Sequence, residues 1–187
     1  MSVEYCVVRV SPQGFESLQK QPALLQDLID EFYTGPSGGE LEKTYADARE
    51  VIRGTTAGAS RTLRMLYLDE FTTSLLVSFL DENSAPFNAV AGWGRAHILQ
   101  GLSYGYGHIS YYVPDEVKTM ASELKTYSQT LLEMRFWEDA ENFRLASAGY
   151  LRDDQAILAH QRFFADLLRR LYNQAVQAGD FVLLLMV

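Results

Sequence analysis

The segment with the sharpest catalytic signal is Gly101-Leu-Ser-Tyr-Gly105, which matches the G-x-S-x-G pattern of a serine nucleophile. In α/β-hydrolases this pattern holds the serine on a tight turn between an incoming strand and an outgoing helix. Here the following residues, 107 to 113, predict a strand. A triad also needs an acid and then a histidine farther along the chain. His108 follows Ser103 too closely for that order, and His160 falls inside a predicted helix. A serine hydrolase using Ser103 is therefore the alternative function, not the favoured one.

Two glycine pairs resemble the start of a dinucleotide-binding fingerprint. Gly105-Tyr-Gly107 and Gly92-Trp-Gly94 each provide two glycines, but Ser110 and His97 stand where the third glycine is required. Both pairs therefore predict structural turns. Cysteine and histidine also lack the CxxC, HxxxH and HExxH spacings of metal sites. We expect neither a cofactor nor a bound metal.

The remaining candidate is a concentration of aromatic and basic side chains suited to binding, because such groups anchor interfaces and pockets. The candidate residues are Trp93, Arg95, His97, Tyr104, Tyr106 and His108, followed by Tyr111 and Tyr112. The competing interpretation is structural: alternate residues of a strand over 108 to 112 must face the core, so these aromatics can be core and turn residues.

Composition limits the classes of function. The chain has 187 residues and a net charge of −8, which predicts one domain over residues 1 to 187 and disfavours nucleic-acid binding. The lone Cys6 excludes an intramolecular disulfide. The first residues lack the features of a signal peptide, and no apolar run is long enough to span a bilayer. We expect a cytoplasmic protein that does not bind membranes; homo-oligomerisation stays open.

The first half of the chain predicts one strand and several helices. A strand over 3 to 10 ends at Ser11 and Pro12, which suit the cap and first residue of a helix. Arg9 in this strand is expected to be exposed; if it points inward, it needs a carboxylate partner. Helices are predicted over 22 to 33, about 41 to 54, and 61 to 82, although part of the last could be a strand. Residues 87 to 100 fit either type.

The second half predicts a glycine-shaped loop over 101 to 107, a strand, and a helix beginning at Pro114. A helical piece over 128 to 146 carries an apolar stripe that includes Leu145. The longest helix, about 155 to 178, is capped by Asp153 or Asp154 and ended by Gly179. An apolar terminal run predicts a central strand covered on both faces. The expected fold is α+β, with a small mixed sheet, several packed helices, and a long C-terminal helix followed by a final strand.

The order of several motifs resembles the YfbM-like family of uncharacterised bacterial proteins. The matching segments are Arg9-Val-Ser-Pro12, Leu41 to Tyr45 leading to Gly54, Leu102 to Gly107, Tyr112 to Val117, and Ala178-Gly-Asp180. The chain departs from the family pattern where Tyr45 and Arg49 replace a Trp and a His, where Val113 replaces a Ser or Thr, and over about 56 to 95. The resemblance implies an α+β fold and a cytoplasmic protein, and implies no activity.

These observations favour a non-enzymatic cytoplasmic protein that binds a protein partner or a small ligand through residues 93 to 112. The character of the surface around His108 distinguishes the two cases. A deep polar cleft favours a ligand or chemistry, whereas a flat aromatic patch favours a protein partner.

Overall fold

A computed structural model describes residues 4–21, 65–68, 70–73, 84–92, 95–104, 107–127, 129–147 and 153–186. Its sheet contains β1 (Tyr5–Val10), β2 (Met65–Leu68), β3 (His97–Tyr104), β4 (Gly107–Tyr112) and β5 (Phe181–Met186) in the order β2-β1-β5-β4-β3. Every pairing between these strands is antiparallel. The α+β class is confirmed, but the sheet is antiparallel where a mixed sheet was expected.

The described helices are α1 (Pro12–Lys20), α2 (Glu70–Thr73), α3 (Ala85–Ala91), α4 (Pro114–Thr126), α5 (Gln129–Glu138), α6 (Ala140–Ser147) and α7 (Asp154–Ala178). The long C-terminal helix is confirmed as α7. Asp153 accepts a hydrogen bond from the Ala156 amide at 2.8 Å, and Gly179 ends the helix in the left-handed region at a φ of 70°. The chain then enters β5 directly.

Strand β5 lies at the centre of the sheet and is covered on both faces, as its unbroken apolar run predicted. Val182 and Leu184 face the core under α3, α4 and α7. Leu183 and Leu185 face the second core, which α1 covers with Phe15 and Leu18. The four β5 side chains are each at most 3% exposed. Two cores on opposite sides of one strand explain why its sequence shows no polar alternation.

Helix starts in the described part of the chain follow the predicted chemistry. Ser11 accepts a hydrogen bond from the Gly14 amide at 3.1 Å, with Pro12 at the first helical position. Val113 has no side-chain oxygen, but Glu116 accepts a hydrogen bond from the Val113 amide at 3.0 Å. This is one half of a capping box. The carboxylate at Glu116 therefore stabilises the start of α4 without a polar cap residue.

Three local predictions were wrong. Residues 65 to 68 form β2 and residues 70 to 73 form α2, where one helix over 61 to 82 was favoured. Residues 101 to 104 belong to β3 rather than to a loop. The helical structure predicted over 128 to 146 is confirmed as two helices that meet at Asp139, but Leu145 of the predicted apolar stripe is 67% exposed. The helices predicted over 22 to 33 and 41 to 54 lie outside the described residues.

Arg9 is buried rather than exposed, and it has the carboxylate partner that burial requires. Its guanidinium donates to one oxygen of Asp180 at 2.7 and 3.1 Å and to the Gln174 amide oxygen at 3.1 Å. The Arg9 side chain is 6% exposed and that of Asp180 is 12% exposed. The pair joins β1 to the α7–β5 junction, because Asp180 follows the helix cap directly. A buried charge needs such partners to offset its lost hydration.

Helix α3 is buried along its entire length, so its terminal backbone groups cannot be satisfied by water. Ser84 accepts a hydrogen bond from the Phe87 amide at its start. At its end, the Tyr112 hydroxyl donates to the Asn88 carbonyl at 3.0 Å and the Tyr172 hydroxyl donates to the Ala89 carbonyl at 2.8 Å. The Gly92 amide also donates to the Asn88 carbonyl at 2.9 Å, so the tyrosines from β4 and α7 act together with this backbone bond at the end of α3.

We expect Gly92→Ala to lower the free energy of unfolding by about 2 kcal/mol or more, measured by urea denaturation. Gly92 has a φ of 67°, and a Cβ there would lie 2.6 Å from Leu184 Cδ1 and 2.8 Å from Ala96 Cβ. The matched control is Gly179→Ala, at a φ of 70° with no atom within 4 Å of the added carbon. It carries only the backbone strain, about 1 kcal/mol. Equal costs would contradict the close packing at Gly92.

We expect Tyr172→Phe to lower the free energy of unfolding by about 1 to 3 kcal/mol, because it leaves the buried Ala89 carbonyl without this donor. The matched control is Tyr111→Phe. The Tyr111 ring packs on Phe15, but its hydroxyl makes no hydrogen bond within the described residues. Tyr111→Phe should cost less than about 0.5 kcal/mol. A Tyr172→Phe variant as stable as this control would show that the hydroxyl does not support α3.

Candidate functional site

A concave pocket of about 520 Å³ lies where the end of α3 meets strands β3, β4 and β5. Its floor follows one row across the sheet, since Ile98 pairs with Ser110 and Ser110 pairs with Leu184. Directly paired residues share a face of the sheet. The wall is formed by Val90, Ala91 and Gly92 at the end of α3, together with Ala96. This size falls within the range of small-molecule sites.

The pocket lining is mostly apolar, with a small number of polar groups. The described lining residues are Tyr5, Val90, Ala91, Gly92, Ala96, Ile98, Gly107, His108, Ser110, Leu184, Leu185 and Met186. The titratable lining residues are His108 and Tyr5, and burial raises the pKa of the Tyr5 hydroxyl. An apolar cavity with a few polar groups is typical of a binding site for a small organic molecule.

Ile98 and His108 form the exposed side of the pocket. Ile98 is 56% exposed, and the His108 side chain is also exposed. A register shift between Ile98 and Ser103 interrupts the β3–β4 ladder beside them. Such irregularities change the direction in which side chains project. The open side of the pocket therefore presents an aliphatic group from the edge strand β3 and an imidazole from its neighbour β4.

Arg95 and His97 interact with helix α4. The Arg95 guanidinium donates to both carboxylate oxygens of Glu123 at 2.8 and 2.7 Å. His97 Nε2 lies 2.9 Å from Glu116 Oε1, and the His97 ring packs against Tyr111 with centroids 5.2 Å apart. Tyr111 belongs to the core on the face opposite the pocket. His97 and His108 therefore lie on opposite faces of the sheet.

The predicted binding residues are divided rather than gathered into one surface. His108 lines the pocket, Arg95 and His97 are paired with α4, and Tyr104 lies in β3 opposite Gly107. Trp93 and Tyr106 lie outside the described residues. Tyr112 is a buried core residue and Tyr111 packs on Phe15. The structural interpretation is thus correct for these last two tyrosines.

Ser103 lies within β3, one residue before its end, and its partner in the strand register is His108. The chain continues into β4 after the described end of β3 at Tyr104, and no helix follows the serine directly. The strand–turn–helix geometry of a nucleophile elbow is therefore not formed. The pairing nonetheless places a serine and a histidine at opposed positions on neighbouring strands.

Other reactive groups occupy structural positions. Burial raises the pKa of the Cys6 thiol to about 12, so the thiol stays protonated at neutral pH. His160 Nε2 lies 3.0 Å from Thr72 Oγ1, and the ring packs against Phe164. Among the described residues, no three His, Cys, Asp or Glu side chains are grouped as metal ligands would be. No described helix combines the length and hydropathy of a membrane span.

Sequence reasoning missed most of the pocket. Ile98, Ser110 and Leu184 come from three strands, and Tyr5 comes from a fourth. None belongs to a short motif, and Leu184 lies more than seventy positions along the chain from Ser110. The one local signal is the glycine at position 92, whose positive φ and close contact with Leu184 bring α3 onto the sheet.

Comparison with known proteins shows a shared fold and no established function. No protein-family profile and no curated protein matches the chain. Among solved structures, the chain is similar to YfbM from Escherichia coli, a protein of unknown function. The TM-score is 0.55 with 16% sequence identity, over 99% of each chain. At this identity the likeness establishes the overall fold alone.

We expect Glu123→Gln to lower the free energy of unfolding at neutral pH by less than about 0.5 kcal/mol, because the Arg95–Glu123 pair is exposed. The hydrogen bond from Arg95 lowers the pKa of Glu123 below its ordinary value of 4.5. The pair therefore stabilises the fold fully above pH 4.5, the ordinary pKa. This stabilisation is lost as the pH falls through the lower pKa of Glu123 in the folded state.

Urea denaturation of the wild type and of Glu123→Gln at a series of acidic pH values measures the difference between their free energies of unfolding. In an Arg95→Gln background, Glu123→Gln should have no further effect at any pH. A difference that persists below the folded-state pKa would contradict the assignment of the stabilisation to this ion pair.

Proposed function

We propose that this protein is a non-enzymatic binding protein whose site is the pocket between the end of α3 and strands β3 to β5, and whose ligand is a small, mainly apolar molecule. The pocket's concave, mostly aliphatic lining carries this proposal. A protein partner would favour a flatter surface with aromatic anchors. The described surface near His108 is instead an open, concave pocket with mostly aliphatic walls.

Burial of apolar surface supplies the affinity in this proposal. Ile98 is more than half exposed, so a ligand that covers it removes apolar area from water. Leu184 and Met186 continue the same surface into the floor. The wall is held in place by the tyrosine hydrogen bonds to α3, which favour a pocket that exists before the ligand binds.

Family membership and location are part of the same proposal. The order of sequence motifs together with the fold shared with YfbM supports a bacterial protein of the YfbM-like family. A buried, protonated Cys6 as the lone cysteine is consistent with a cytoplasmic location. The negative net charge favours a ligand other than nucleic acid.

The test uses Nile red, a neutral apolar dye, with binding followed by fluorescence. We expect saturable binding to the wild-type protein at one site. Ile98→Glu should weaken binding about tenfold or more, because it removes an aliphatic contact worth about 1.5 to 3 kcal/mol when buried. Ile98 is exposed, so the folded state should tolerate this change.

The matched control is Leu145→Glu, which changes another exposed aliphatic residue, on α6 and outside the described pocket lining. It should bind the dye as the wild type does. Loss of binding in Leu145→Glu with retention in Ile98→Glu would move the binding site to α6 and overturn the proposal. Absence of saturable Nile red binding to the wild type would also overturn the proposal.

The serine hydrolase alternative is favoured by one observation, the opposed positions of Ser103 and His108 in the strand register. A fluorophosphonate probe tests it directly, because the probe reacts with activated serines. Under the proposed binding function, wild type and Ser103→Ala should be equally unlabelled. Labelling of the wild type that Ser103→Ala abolishes would establish the hydrolase instead.

A further inference from the structure

The polar groups of the pocket indicate what kind of ligand it takes; this inference rests on the proposed binding function. Ser110 lies on the pocket floor and His108 lies at its exposed side. Neither side chain makes a hydrogen bond or ion pair within the described residues. A serine hydroxyl and an imidazole can each donate a hydrogen bond. The pocket thus offers two donors beside an aliphatic surface.

The pocket lining also contains no carboxylate among its described residues. The chain has 24 acidic residues, and a carboxylate in the lining would repel an anionic ligand. The described lining therefore does not oppose the binding of an anion. Two acidic side chains on α4 are engaged with residues beside the pocket, Glu123 with Arg95 and Glu116 with His97. An anionic group in the pocket would therefore lie beside the hydrogen-bond donors His108 and Ser110. The carboxylates of Glu116 and Glu123 would not face it unpaired.

The available positive charge is small. Arg95 precedes the lining residue Ala96, but its guanidinium is committed to both oxygens of Glu123. His108 can supply at most one positive charge. A phosphate monoester carries close to two negative charges at neutral pH and is usually bound by several cationic or backbone donors. A single carboxylate matches one imidazole and one hydroxyl better.

We infer that the ligand is a monocarboxylate with an aliphatic body, whose carboxylate accepts hydrogen bonds from His108 and Ser110 while its hydrocarbon part covers Ile98 and Leu184. The polar and aliphatic groups are adjacent, because Ser110 stands between Ile98 and Leu184. Ile98, Ser110 and Leu184 form one row across three strands, and His108 stands two residues before Ser110 on the same face of β4. The polar end of the ligand then lies along β4 and the apolar body against α3.

The experiment compares decanoate, decanol and decyl phosphate, which share one hydrocarbon chain, by calorimetry and by displacement of Nile red from the full chain. We expect decanoate to bind about tenfold or more tightly than decanol, because hydrogen bonds to a charged group are worth about 1.5 to 3 kcal/mol. Decyl phosphate should bind no more tightly than decanoate.

Two variants test which residue causes the tighter binding of decanoate relative to decanol. His108→Leu should abolish the advantage of decanoate over decanol while leaving decanol affinity within about threefold, since leucine preserves apolar contact. The control His97→Leu changes the histidine on the opposite face and should retain the full advantage. His108 is exposed, so its replacement should not prevent folding.

The possible results distinguish a failure of the carboxylate assignment from a failure of the proposed binding function. Equal binding of decanol and decanoate, an advantage that survives His108→Leu, or tighter binding of decyl phosphate would overturn the carboxylate assignment and leave the apolar binding site standing. Failure of all three compounds to bind or to displace Nile red would overturn both.

Discussion

The structure depends on two tyrosine hydroxyl groups that satisfy the end of a buried helix. Helix α3 has no exposed residue, and an unpaired carbonyl in such a place costs about as much as a lost hydrogen bond. Tyr112 and Tyr172 donate to consecutive carbonyls in the last turn. Burial raises the pKa of both hydroxyls, so both remain protonated donors. These contacts hold β4 and α7 against the same helix and fix the wall of the pocket.

A second constraint fixes the depth of the pocket. Gly92 ends α3 in the left-handed region and brings it so close to Leu184 that a methyl group would not fit. The helix therefore rests directly on the central strand. On the far side of β5, Phe15 stacks on Phe181 with ring centroids 4.1 Å apart. Packing from both sides leaves β5 little freedom, so the pocket floor is rigid while its outer side, at Ile98 and His108, is open.

Features controlled by neighbours in sequence were predictable. The Ser11 cap, the proline starts of α1 and α4, the Asp153 cap and the Gly179 stop each depend on a few consecutive residues. The pocket was predictable only in part. His108 was singled out by its aromatic and basic surroundings, but Ile98 and Ser110 resembled ordinary strand residues. Arg9 was misjudged because its partner Asp180 lies 171 positions away.

The sequence by itself determined the α+β class, the long C-terminal helix and the central position of the last strand, because periodicity, caps and unbroken apolar runs are local properties. Tertiary structure decided the antiparallel pairing, the strand formed by residues 65 to 68, and the division of His97 and His108 between opposite faces. Those outcomes depend on strand register and on contacts between distant segments. One residue of register moves a side chain to the other face, and no local pattern specifies it.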